Sequence, residues 1–216
     1  MKSLIEPNKI HCCDCMDGLR EMPDNYIDLA IVDPPYGIGA PSMNMGAERN
    51  TTTFYDRTKK WDTTPPDADY FDEMLRVSSR SIVWGGNYFA LPASRGFVVW
   101  DKKIGDNDFA MCEYAWLSWP TSPKIFAMCG THLTQGKRIH PTQKPVELYK
   151  YLLSKYAKEG DLILDTHMGS GSSYIACLDM GFDYIGYEID QDYFTAIEQR
   201  VYDFTRQTTF DFDVEP

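Results

Sequence analysis

"LILDTHMGSGSSYIACLDMGFDYIGYEID", residues 162–190, decides the fold. "GDLILD" (160–165) is a short apolar run ending in an acid, and a turn carrying Gly169 and Gly171 follows it. Residues 171–181 read as a helix closed by Gly181, and "FDYIGYEID" (182–190) reads as a second strand. Strand, glycine turn, helix, strand is the unit that builds parallel sheets. The chain upstream repeats the alternation. "YIDLAIVD" (26–33) is a buried strand, "ADYFDEMLRVSSR" (68–80) a helix, and "SIVWGG" a strand stopped by glycine. "GFVVWDK" (96–102) and "YAWLSW" (114–119) are further strands. "KPVELYKYLLSKYAK" (144–158) is an amphipathic helix with Pro145 in its first turn, and "DYFTAIEQRVYDFT" (192–205) is the last helix. "CMDGLREM" (15–22) forms a short helix, while 37–67 and 120–140 read as irregular. The pattern predicts an α/β fold with a mainly parallel twisted sheet and helices on both faces. It shows no internal repeat and no linker, so 1–216 reads as a single domain.

Composition narrows the function. With 216 residues, 43% hydrophobic and 25% charged, the chain can bury a sizeable core. No run is long enough to span a membrane, and the start, "MKSLIEPNKIHCCDC", lacks a signal-peptide core. A cytoplasmic protein is expected. Six cysteines without scaffold spacing read as free thiols, and "HCCDC" reads as small residues near a strand end rather than as a zinc site. No metal is expected. A net charge of −11 excludes a protein that coats nucleic acid by charge alone. Basic residues nevertheless cluster locally, at Arg57, Lys59 and Lys60, at Lys102 and Lys103, and at Lys137, Arg138 and Lys144.

The glycine turn lets a ligand approach the backbone closely. Glu188, 23 positions beyond Asp165 at the tip of the next strand, suits the hydroxyls of a ribose. "GSGSS" lacks the third glycine of a dinucleotide site, and there is no phosphate loop of the GxxxxGK[ST] kind. Asp165 before the turn would repel a pyrophosphate but pair with an ammonium. A ribose together with an ammonium points to an amino-acid nucleoside such as S-adenosylmethionine, ahead of NAD or ATP.

"AIVDPPYGIG" (30–39) supplies the second site. Asp33 would project from the carboxyl edge of the sheet, where ligands bind in open α/β folds. Pro34 and Pro35 fix two φ angles and remove two N–H donors, leaving carbonyl acceptors beside the carboxylate. Tyr36 adds a flat aromatic face. The set suits a planar ligand with an exocyclic amine, which donates to Asp33 and a proline carbonyl while its ring stacks on Tyr36.

These residues resemble the amino-group DNA methyltransferases, which carry [DNS]PP[YFW] here. "DTHMGSGS" is similar to that family's DPFxGSGT cofactor motif, with Thr166 for the proline and His167 for the phenylalanine. "HPTQKPVELY" (140–149) resembles the element that precedes the cofactor motif and helps enclose the methionine part. "HCCDCMDGL" resembles the N-terminal segment whose aspartate, here Asp14, meets the adenine of the cofactor. The catalytic motif precedes the cofactor motif, which is the permuted order of the family's β group. The resemblance implies a Rossmann-like S-adenosylmethionine-dependent methyltransferase fold. It implies Asp33, Pro34, Pro35 and Tyr36 as catalytic residues. For the cofactor it implies Asp14 and Cys15, Asp33, then His140, Lys144 and Pro145. Asp165, His167, Gly169, Ser170, Gly171 and Ser172 follow from the turn, with Glu188 and Ile189 from the next strand.

The implied reaction is direct methyl transfer to an amino group of a base flipped out of double-stranded DNA. Adenine N6 is favoured because Asp usually stands first in the motif for adenine and Ser for cytosine. Cytosine N4, RNA and protein amides are the alternatives, together with a non-catalytic nucleoside-binding module. The expected DNA contacts are small insertions, about 37–67 with Arg57, Lys59, Lys60 and Trp61, and about 120–139 with "THLTQGKR". So little chain implies a short or relaxed target. Size and acidity fit a solitary enzyme of a prokaryotic or phage-infected cell. A homodimer stays open.

Overall fold

The computed structural model describes residues 3–39, 61–104, 110–129 and 138–210. β1 (Lys9–His11) leads to α1 (Cys15–Glu21), and β2 (Leu29–Val32) leads to α2 (Ala68–Val77) and β3 (Ser81–Trp84). A 3-10 turn, Gly86–Tyr88, follows β3. Then come β4 (Phe97–Asp101), β5 (Cys112–Leu117) and β6 (Lys124–Ala127). α3 (Val146–Tyr156), β7 (Leu162–Asp165), α4 (Ser172–Met180), β8 (Asp183–Tyr187) and α5 (Gln191–Phe210) complete the chain.

The eight strands form one sheet in the order β1-β8-β7-β2-β3-β5-β4-β6. β5 runs antiparallel to both of its neighbours and every other pairing is parallel. The mainly parallel sheet is as expected. β2 and β3 are buried along their whole length, which is why both read as continuous apolar runs. Alternate residues serve opposite faces. Leu29 and Ile31 join Ile82, Trp84 and Ile163 in a core with Leu148, Leu152, Ala176 and Ile197 of α3, α4 and α5. Ala30 and Val32 join Val83, Leu164 and Ile185 in a second core with Leu19 of α1 and Tyr70, Met74 and Val77 of α2. Helices therefore cover both faces. Among the described residues no helix is long and apolar enough to cross a membrane.

Two strands escape a reading of the sequence. β1 is three residues long with Lys9 and His11 in it, and β6 lies inside the stretch read as irregular. Both sit at the ends of the sheet, where a strand pairs on one side only and needs no apolar pattern.

The chain crosses from β2 outward to β3, and from β7 outward in the other direction to β8. The crevice between β2 and β7 is the place where an open sheet receives a ligand. Gly171, at φ +68°, caps α4 there, and a Cβ on it would lie 2.7 Å from Ile197 Cγ2. A Gly171→Ala variant meets both a left-handed backbone and a clash. It is expected to lose about 1–3 kcal/mol in urea unfolding. An unchanged midpoint would refute this.

Candidate active site

Five strand ends converge at the carboxyl edge. Asp33 follows β2, Gly85 follows β3, Thr166 to Ser170 follow β7, Glu188 follows β8, and Asp14 stands just beyond β1. The antiparallel β5 brings its amino-terminal end to the same edge, and with it Glu113.

These groups line two adjoining cavities. The larger, of about 560 Å³, is lined by Asp33, Pro34, Pro35, Tyr36, Glu113, His140, Lys144, Gly169, Ser170, Tyr193 and their neighbours. The smaller, of about 300 Å³, is lined by Asp14 and Cys15 together with Tyr70, Thr166 and the Thr64–Asp67 stretch. Pro35, His167, Glu188 and Ile189 belong to both walls.

Asp33 is held from two sides. Tyr36 Oη donates to its Oδ1 at 2.7 Å, and Lys144 Nζ donates to its Oδ2 at 2.5 Å. Lys144 also faces Glu113 Oε2 at 3.1 Å, an ion pair without hydrogen-bond alignment, and Lys102 holds the other oxygen of Glu113 at 2.8 Å. Burial pushes the Asp33 carboxyl up, Lys144 opposes the rise, and the second negative charge on Glu113 adds to it. Burial works against the Lys144 charge, but Asp33 and Glu113 outweigh it and raise the ammonium above its ordinary value. Burial also works against an ionised Glu113, yet its two lysines hold it below the usual range.

The Tyr36 ring stacks on Tyr88 with centroids 4.8 Å apart, and Phe89 meets it edge-on at 6.0 Å. Gly85 explains how the ring fits: a Cβ there would lie 2.2 Å from Tyr36 Cε1. Asp62 fixes the turn after the prolines. Its Oδ1 accepts from Gly37 N at 2.8 Å and its carbonyl accepts from Gly39 N at 2.9 Å. Trp61 lies against His140 at 4.8 Å, and His140 meets Tyr193 at 4.6 Å.

On the far wall Glu188 accepts from Gly169 N at 2.8 Å and from Asp190 N at 2.9 Å. Burial pushes its carboxyl up, and the two amides oppose that. Burial holds His167 down to about 4, hence neutral. Asp14 caps α1 by accepting from Met16 N.

Four of the expected cofactor residues line neither cavity. Pro145 caps α3, Gly171 caps α4, and Ser172 bonds Ser170 and Arg200 behind the turn. Asp165 is buried below the floor, where it accepts from Ser173 Oγ at 2.5 Å and His167 N at 3.0 Å. Lys144 lines the larger cavity, but its ammonium is on Asp33. Of the expected DNA contacts, Arg57, Lys59, Lys60 and most of "THLTQGKR" lie outside the described residues. Sequence reasoning missed Glu113, Asp62 and Tyr193, whose partners are far away in the chain. The glycines that stop "SIVWGG" mark the Gly85–Tyr88 corner, and Trp84 before them is a core residue.

Burial pushes the Asp165 carboxyl up to about 7, with Ser173 and the His167 amide opposing. The folded chain thus holds that proton more tightly than the unfolded one, whose ordinary value is 3.8. Its contribution is fully present in acid, and it is lost as pH rises from about 4 to about 7. An Asp165→Asn variant is therefore expected to gain stability over the parent at about pH 8 and to gain less at about pH 5. Equal differences in urea midpoint at both values would overturn the assignment.

Comparison with known proteins agrees with the motifs. Residues 96–199 match the family model described as DNA methylase. The chain is 21% identical to the type II methyltransferase M.HpaI of Haemophilus parainfluenzae, over 89% of this chain and 74% of that one. It is 25% identical to the putative methylase YubD of Escherichia coli (strain K12), over 87% of each. Among solved structures, the M1.HpyAVI–SAM complex superposes with a TM-score of 0.57 at 18% identity, over 89% of this chain and 98% of that one. The cytosine-N4-specific PvuII DNA methyltransferase superposes with a TM-score of 0.57 at 16% identity, covering 94% and 92%. These likenesses share one fold. With the motif order, the matched segment and the curated relatives support the N6/N4 amino-methyltransferase family of DNA methylases.

Proposed function

We propose that the protein transfers the methyl group of S-adenosylmethionine to the exocyclic amine of a base in double-stranded DNA, adenine N6 ahead of cytosine N4. The observation that carries the reading is the placement of Asp33 and Tyr36 in a cavity that shares a wall with a second cavity lined by Asp14 and Cys15. An amine-binding pole and a nucleoside-sized recess adjoin at Glu188.

The residues present fit such a donor. Glu188 lines both cavities, where its carboxylate oxygens would accept from the hydroxyls of a ribose. The Trp61 indole N–H, on the wall of the larger cavity, is buried without a partner among the described residues and is a donor left for a carboxylate. Asp14 and Cys15, on the wall of the smaller cavity, would meet the adenine end. When bound, S-adenosylmethionine supplies an electrophilic methyl on a sulfonium.

The chain supplies orientation and charge. Asp33 accepts from the base amine and the Pro34 carbonyl accepts its second hydrogen, turning the nitrogen lone pair toward the donor side. Pro34 and Pro35 add no N–H to compete with the amine. Tyr36, backed by Tyr88, offers a ring edge and face that limit the slot to a planar group. As nitrogen gains the methyl it sheds a proton, and the Asp33 carboxylate, raised by burial, is an acceptor beside it. The test is incubation with methyl-labelled S-adenosylmethionine and unmethylated DNA of mixed sequence, followed by digestion to nucleosides. Labelled N6-methyladenine is expected. N4-methylcytosine would keep the mechanism and overturn the base, and label in RNA or protein alone would overturn the substrate.

A further inference from the structure

The charged groups around Asp33 form a row that alternates in sign: Asp33, Lys144, Glu113, Lys102. Their spacings are 2.5, 3.1 and 2.8 Å. The Lys144 side chain is only 3% exposed, and its ammonium sits 5.3 Å from the centroid of the Trp84 ring. Such a row is an expensive way to fill space, since apolar residues of similar volume often stabilise a fold as well or better. Four segments supply it, the ends of β2 and β4, the start of β5 and the residue before Pro145, and Glu113 meets the others because β5 runs antiparallel.

Other groups face Asp33. Tyr36 comes from its own turn, Tyr70 from α2, Tyr149 from α3, Asp165 from β7 and Glu113 from β5. All the tyrosines are pushed further from ionisation by burial, so they remain neutral. Among the described residues, the cation that touches Asp33 is Lys144.

Resting on the reading of Asp33 as the amine-binding carboxylate, we propose that Lys144, backed by Glu113, is a positioning residue of the reaction that holds Asp33 in place and in its charged form. Fixing Oδ2 from behind leaves the Tyr36-bound side of the carboxylate to meet the amine. The resemblance assigns "HPTQKP" to the methionine part of the donor, whereas the geometry points its lysine at the base side.

The test combines single-turnover transfer of labelled methyl to DNA across pH, calorimetric binding of S-adenosylmethionine, and carbon-13 NMR titration of the Asp33 carboxyl. Lys144→Met is expected to slow transfer near neutral pH by about a hundredfold. It is expected to move the acid limb of the profile upward by about one pH unit or more and to leave donor affinity unchanged. Lys144→Arg should recover much of the rate. Glu113→Gln should move the acid limb the other way, because it removes a negative charge that pushes Asp33 up. An unmoved limb in Lys144→Met, a loss of donor affinity that accounts for its whole defect, or the same direction of shift in both variants would overturn the proposal. If Lys144→Met does not fold, the arginine variant and the sign of the Glu113→Gln shift decide the matter. If the wild type transfers no methyl to DNA, the proposed function falls. The NMR titration then still decides the role of Lys144, supporting it if Asp33 titrates at higher pH in Lys144→Met and overturning it if nothing moves.

Discussion

Asparagine in place of Asp33 is expected to lower the rate of methyl transfer by about 10²–10³-fold with donor binding intact. The carboxylate makes two bonds in the resting site, from Tyr36 and from Lys144. An amide presents one oxygen and one NH₂ group, and the NH₂ cannot accept from either partner. Whichever way it turns, one of the two donors loses its acceptor, and the amine of the base meets a neutral group. Removing one member of a buried ion pair costs about 3–5 kcal/mol when the other is stranded. Here Lys144 keeps Glu113, so the loss in stability stays below that range. Single-turnover transfer and thermal unfolding of the same preparation separate the two effects. A variant that keeps most of the wild-type rate would remove Asp33 from the chemistry.

The second large effect is expected at Glu188. Its carboxylate does two jobs. It ties Gly169 N and Asp190 N together across the mouth of the glycine turn, and it faces both cavities. In Glu188→Ala two backbone donors lose their partner, at about 1–3 kcal/mol each if they stay dry. The hydroxyls of the donor's ribose lose theirs as well, so affinity for S-adenosylmethionine is expected to fall by about 10²-fold. Glu188→Gln keeps one acceptor for the turn and should recover stability better than affinity. Equal recovery of both would show that the carboxylate serves the fold alone.

The contrast between these residues and Glu113 shows what a sequence makes legible. Asp33 and Glu188 each end an apolar run, and the chemistry around them is contiguous: two prolines and a tyrosine, or a glycine turn and a strand. Local spacing therefore carries both. Glu113 sits in a strand whose direction no local pattern encodes, and its partner Lys144 lies 31 positions on. Lys144 in turn lies 111 positions from Asp33. The sheet's middle was readable because β2, β3 and β7 are buried on both sides and nearly all apolar. Its two ends were not, because β1 and β6 are short and half-solvated. Tyr36 was readable as an aromatic face, but the stack on Tyr88 needs Gly85, whose missing side chain matters only once the chain has folded.

The pair of bonds that Asp62 makes to Gly37 and Gly39 has a consequence for how such proteins diversify. The two bonds clasp the chain on either side of residues 40–60, so the catalytic turn is anchored before that segment begins and after it ends. Doubling the length of chain between two fixed anchors costs only about 0.6 kcal/mol in closure entropy. A change in the length of that stretch would therefore leave the turn that carries Asp33 and Tyr36 anchored where it is.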